Sequence, residues 1–129
     1  MTEQERLQKN KEIVLAFYDI VINQKDYELA RPYMTDTYIQ HNPTAESGPE
    51  GLRDWLVGFK QNAPNLRVDT KRVIAEGDCV MLHSHGSDGT PENSSAVMDV
   101  FRLEGDKIAE HWDVIQQIPA EDLSGNGMF

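Results

Sequence analysis

A chain of 129 residues has the length of one domain and is too short to give each of two halves a proper core. Its 39% hydrophobic and 26% charged residues lie in the globular range, which excludes a disordered or fibrous class. The 22 acidic against 12 basic residues give a formal charge of −10, which repels phosphate backbones and anionic lipid alike and argues against nucleic acid and membrane as partners.

The N-terminal MTEQERLQKNKE lacks the apolar stretch of a secretory signal, and no apolar run approaches the ~18 residues that span a bilayer. A cytoplasmic protein is therefore expected. The lone Cys79 rules out an intramolecular disulfide and a Cys-cluster zinc site. Followed by Val80, Met81 and Leu82, it reads as a structural strand residue and not as a nucleophile.

Over residues 3 to 23, Leu7, Val14, Phe17, Tyr18 and Val21 recur at three- and four-residue spacing, the stripe of an amphipathic helix, with Thr2 and Glu5 as its capping box. Asp26 caps a second helix through Tyr27, Leu29 and Ala30, which Pro32 keeps short. The segment 35–42 is extended or looped. Ser47, Pro49 and Glu50 then supply a cap, an early-turn proline and a capping-box acid for a third helix carrying Leu52, Trp55, Leu56 and Phe59, which stops before Pro64. Beyond it the period changes to two, and 66–74, 79–85, 95–103 and 107–116 read as strands. Glu76-Gly77-Asp78 and Glu104-Gly105-Asp106 are turn material, and 87–94 is a polar loop. Helices followed by an antiparallel meander predict an α+β domain, with helices covering one face of a curved sheet. The domain spans residues 1–118, and 119–129 is a loose C-terminal tail.

The last hairpin carries polar groups where a sheet ordinarily buries aliphatic ones. Alternation puts Asp99 and Phe101 on one face of their strand; in the next it groups His111, Asp113 and Ile115, with Glu110, Trp112 and Val114 opposite. A three-residue turn sets Asp99 across from His111 and gathers all three polar groups on one face, whereas a two-residue turn pairs Asp99 with Trp112 and separates the carboxylates. A histidine between two carboxylates in an apolar-walled site suits proton transfer, since burial raises a carboxylate's pKa and a neighbouring imidazolium lowers it. A satisfied ion-pair network is the structural alternative.

His83 and His85, two apart, share a strand face, and His41-Asn42-Pro43 closes the extended segment. With a third ligand these histidines could bind zinc or iron, but their spacing is not a specific metal pattern, so no metal and no other cofactor is assigned. His41, Asn42 and His83 are read as lining a pocket, His85 as exposed. Tyr18, Trp55 and Phe59 read first as core residues, although a buried Tyr18 hydroxyl needs a partner and would suit a pocket wall. Gly-rich phosphate loops, nucleophile elbows and basic stripes are absent.

The segments NKEIVLAFYDIVINQKDYELARPYM, YIQHNP, GPEGL, RVIAEGDCVMLHSHG and DVFRLEGDKIAEHWDVIQ, in this order and spacing, resemble the SnoaL-like proteins. These form a branch of the nuclear-transport-factor-two-like superfamily that includes polyketide cyclases and ketosteroid isomerases. The resemblance covers about residues 8 to 118. It implies a cone, a strongly bent antiparallel sheet wrapped on N-terminal helices as a cystatin-like α+β barrel, commonly dimeric through the sheet's outer face. In the similar cyclases a carboxylate of the last strand acts as acid/base, and Asp113 in HWD stands in the matching place. Those cyclases carry a histidine 14 residues earlier, where this chain has Asp99.

The resulting expectation is cofactor-free acid/base catalysis, of isomerase, cyclase or aldol type, on a small hydrophobic carbonyl compound. Asp113, His111 and Asp99 would be catalytic; Tyr18, His41, Asn42, Trp55, Phe59, His83 and Phe101 would hold the substrate. His111, His83 or Tyr18 would hydrogen-bond the developing enolate. The alternative is a non-catalytic module binding a hydrophobic metabolite in the same pocket. A homodimer through the sheet is expected in either case.

Overall fold

A computed structural model describes residues 1–129. Helix α1 (Glu3–Tyr18) begins at the expected capping box: Thr2 Oγ1 accepts from the Glu5 N–H at 3.1 Å, and Glu5 Oε2 accepts from the Thr2 N–H at 2.9 Å. The helix widens into a π-helical turn, Asp19–Gln24, and ends at Lys25 with φ of 56°. Lys25 is fixed there because its Nζ donates to the carbonyls of Ile22 and Leu66 at 2.8 and 2.6 Å. Helix α2 (Tyr27–Ala30) is capped by Asp26 as expected and runs through the turn Arg31–Tyr33 into strand β1 (Met34–Gln40).

Helix α3 (Pro49–Asn62) starts differently from the sequence reading. Ser47 does not cap it; its Oγ accepts the Gln40 N–H at 3.0 Å, and Gly48, with φ of 86°, takes the capping position. Gly51 then passes so close to the loop that a Cβ there would lie 1.9 Å from the Glu46 carbonyl oxygen. Gly51→Ala should therefore lower stability by about 1–3 kcal/mol or more, the usual cost of forcing atoms into filled space. A urea midpoint equal to that of the parent would show that the loop yields without strain.

The remaining strands are β2 (Arg67–Glu76), β3 (Cys79–Ser87), β4 (Ser94–Glu104) and β5 (Lys107–Gln117). The sheet order is β1-β5-β4-β3-β2. The predicted antiparallel meander holds for β2 through β5, but β1 lies parallel to β5, so the sheet is mixed and open, not wholly antiparallel. A parallel pair needs a long connection, and here α3 and three strands intervene between the two partners. The class is α+β. No helix is long and apolar enough to cross a membrane.

The turn before β5 is the two-residue kind, with Glu104 paired to Lys107 and Gly105 at φ of 60° between them. One position further on the register shifts: Leu103 pairs with Ile108 but Arg102 with Glu110, leaving Ala109 as an extra residue. Ile108 and Ala109, though consecutive, are both buried. In consequence Asp99 pairs with Asp113 and Phe101 with His111. Neither register drawn from the sequence is correct, yet the bulge restores the shared face that the three-residue turn would have produced. A second bulge, at Lys71, interrupts the pairing of β2 with β3. Such bulges bend and twist their strands, which curves the sheet around the helices.

Val14, Phe17, Tyr18 and Val21 from the first helical segment, Leu52 and Leu56 from α3, and Val80, Leu82, Phe101, Leu103 and Ile108 from the sheet form one core. The segment 118–129 contains no helix or strand. Within the expected tail, 119–129, Phe129 packs on the sheet's outer face, its ring centroid 4.7 Å from that of His85 and 5.5 Å from that of His83.

Candidate active site

Between the helices and the inner face of the sheet lies a cavity of about 210 Å³. Its wall is mostly apolar and aromatic, with Phe17, Tyr18, Trp55, Phe59 and Phe101 among the lining residues, and no lysine or arginine takes part. Trp55 and Phe59, one helical turn apart on α3, stack with ring centroids 4.6 Å apart. The polar groups sit on β1, β4 and β5 and converge because alternation and the Ala109 bulge put them on the same side.

His111 is the centre of this group. Its Nε2 lies 2.7 Å from Asp99 Oδ1 and 3.9 Å from Asp113 Oδ2, while its Nδ1 lies 2.8 Å from Gln40 Oε1. Gln40 Oε1 also accepts the backbone N–H groups of His41 and Asn42, each at 3.0 Å, and Gln40 Nε2 donates to the Tyr38 hydroxyl at 3.0 Å. With its amide orientation thus fixed, Gln40 can only accept from His111, so Nδ1 carries a proton and Nε2 meets Asp99. Asp99 is 2% exposed and its Oδ2 has no hydrogen-bond partner; the Tyr18 side chain is its neighbour, between Asp99 and Ser84.

Asp113 is held separately. Asn42 Nδ2 donates to both of its carboxylate oxygens, at 2.8 and 3.0 Å, and Asn42 Oδ1 is itself fixed by the N–H and hydroxyl of Thr44. Burial raises the Asp113 pKa above the ordinary aspartate value, the His111 charge and the Asn42 hydrogen bond oppose that rise, and Asp99 adds to it. Burial first, and then the nearby carboxylates, push the hydroxyls of Tyr18 and Tyr38 above the usual phenol range, so both keep their protons.

The site thus unites Asp99, His111, Asp113, Tyr18, Asn42, Trp55, Phe59 and Phe101 around one cavity. Two expected pocket residues lie elsewhere. His83 alternates to the outer face of β3, where it bonds Arg72 and meets Phe129. His41 sits outside the cavity, stacked on Trp112 at 4.8 Å, with Nε2 2.6 Å from Glu110. Glu110 faces outward too, and its bonds to His41 and Arg102 hold its carboxyl below the usual range. His85 bonds Ser94 at 2.6 Å on the outer face, so the histidines outside the site do not converge on a common ligand point. The ligand atoms of Asp99, His111 and Asp113 do lie within 4.8 Å of one another, but a cation there would have to separate the Asp99–His111 pair.

Tyr38 and Gln40 were missed by the sequence reading. The signal was available: Tyr38, Gln40 and Asn42 alternate, and a strand through that segment turns all three inward.

Solved structures share this architecture. A provisionally named polyketide cyclase from Bacillus cereus superposes with a TM-score of 0.73 at 20% identity, covering 89% of this chain and 79% of its own. A cystatin-fold protein of uncharacterized function from Novosphingobium aromaticivorans gives 0.70 at 25% identity, covering 81% and 97%. TsrD from Streptomyces laurentii gives 0.69 at 19% identity, covering 90% and 91%. No curated protein matches the chain in sequence. The model of the SnoaL-like domain matches residues 14–111, about three quarters of the sequence, and includes β1, α3 and most of the polar floor. The chain belongs to the SnoaL-like domain family.

Proposed function

We propose that this protein is an acid/base enzyme that removes a proton from the carbon next to the carbonyl group of a small, uncharged, largely hydrophobic compound. Asp113 is the base. The observation that carries the reading is the unequal treatment of the two carboxylates: Asp99 is paired to His111 at 2.7 Å, whereas Asp113 accepts hydrogen bonds only from the neutral Asn42 amide, with His111 Nε2 3.9 Å away. Two carboxylates set in such different surroundings are the usual mark of an acid/base assignment.

The lining supports the substrate class. A cavity of about 210 Å³ without a lysine or arginine, whose one histidine is already paired with Asp99, is ill suited to a phosphate or carboxylate, while its aromatic wall suits an apolar body. The similar structure named as a polyketide cyclase fits this chemistry, because aldol-type ring closure begins with the same proton removal.

The reading is tested by incubating the protein with enolisable ketones, acetophenone among them, in deuterated water and following proton exchange by NMR. Catalysed exchange at the α-carbon is expected. Tight binding of a ketone with no exchange above the buffer rate would instead favour a non-catalytic binding module.

A further inference from the structure

We infer that Tyr38 is the group that hydrogen-bonds the substrate's carbonyl oxygen and stabilises the charge developing there. The inference rests on the acid/base reading above and identifies the donor that Asp113 needs opposite it.

The three donors suggested by the sequence are already engaged. His83 lies on the outer face with Arg72. His111 directs its Nδ1 proton to Gln40 and its Nε2 to Asp99. The Tyr18 hydroxyl neighbours Asp99, whose buried Oδ2 has no hydrogen-bond partner, and a neutral ketone oxygen does not compete with a carboxylate for that proton. Asn42 Nδ2 is taken up by both oxygens of Asp113.

Tyr38 is different. Its side chain is buried and lines the cavity, and its hydroxyl oxygen accepts from Gln40 Nε2 at 3.0 Å, but its own proton has no acceptor in the protein. Gln40 cannot reverse this arrangement, because three donors hold its Oε1 in place. A hydroxyl whose oxygen is filled from the protein side has one direction left for its proton, and that direction is the cavity. Burial, and after it the nearby Asp113 and Asp99, keep the phenol protonated.

The step balances without a further reactant. Asp113 takes the α-proton, the C–H electron pair becomes the carbon–carbon double bond, and the carbonyl π pair moves to oxygen, where Tyr38 donates to it. Return of a proton, or of a deuteron after exchange with solvent, from the Asp113 carboxyl to carbon completes the cycle. Donors that strengthen as charge appears are worth about 10²–10³ in rate each.

The test uses acetophenone labelled with ¹³C at its carbonyl, present in excess, and infrared difference spectra of the intact protein. The carbonyl band should move to lower frequency on binding to the parent, and this shift should vanish in Tyr38→Phe. Incorporating 3-fluorotyrosine at position 38, a stronger donor of nearly the same size, should enlarge the shift and guards against a folding artefact. Exchange in deuterated water should fall by about 10²–10³ in Tyr38→Phe. An unshifted band in the parent, or the same shift in parent and Tyr38→Phe, overturns the assignment. A shift that depends on Tyr38 in a protein with no exchange activity leaves the donor in place and removes the acid/base reading. Exchange that survives in Tyr38→Phe does the opposite.

Discussion

Asp113→Asn should reduce α-proton exchange by about 10²–10⁴, the usual contribution of a positioned base, while leaving the fold unchanged. The substitution keeps size and shape, and the new amide can still present an oxygen to Asn42. Its effect on stability has a definite sign. Burial raises the Asp113 pKa above its ordinary value of 3.8, so this carboxyl favours the folded state most below that value, and the advantage disappears as the pH rises through the folded-state pKa. At neutral pH the ionised side chain is therefore a net cost, and Asp113→Asn should melt at the same temperature as the parent or higher. For the same reason the acid limb of the pH–rate profile should lie above that of an ordinary aspartate. Residual exchange at the parental rate would remove Asp113 from the mechanism, and a lowered melting temperature would contradict the account of its burial.

His111→Leu should be the most damaging single substitution for stability, costing about 3–5 kcal/mol. It leaves Asp99, 2% exposed, buried without the partner that meets it at 2.7 Å. Replacing both members, His111→Leu with Asp99→Leu, should recover most of that loss, since a buried ion pair seldom contributes more than an apolar pair of similar volume. Denaturant midpoints of the parent, the single variant and the double variant decide the matter. A double variant no more stable than the single one would mean that the pair is required by the fold and is not maintained for the site. A single variant within about 1 kcal/mol of the parent would mean that Asp99 is not held as a buried anion.

The elements were legible because their signals are local. The Thr2–Glu5 capping box, the stripe of Val14, Phe17, Tyr18 and Val21, and the alternation of the four later strands each depend on near neighbours in sequence. The convergence of Asp99, His111 and Asp113 was legible in part: their common face followed from alternation, but the pairing depended on a bulge at Ala109 that no turn residue announces. The sequence marks 35–42 only as extended or looped, because the partner strand β5 lies some 70 positions away, and Tyr38 and Gln40 stay hidden with it. His83 illustrates the converse. Its strand was read correctly, but nothing in a lone strand says which of its two faces meets the helices; Ser84, fully buried, shows that it was the other one.

Ala109 also decides which side chains of β5 the cavity receives. Were Ala109 paired with Arg102, so that the ladder ran on without the bulge, everything downstream in β5 would change phase, and Trp112 and Glu110 would turn to the hollow and His111 and Asp113 to the exterior. The strand would remain equally well formed by every local criterion. The chemistry of the chamber thus hangs on one residue standing out of the ladder instead of in it.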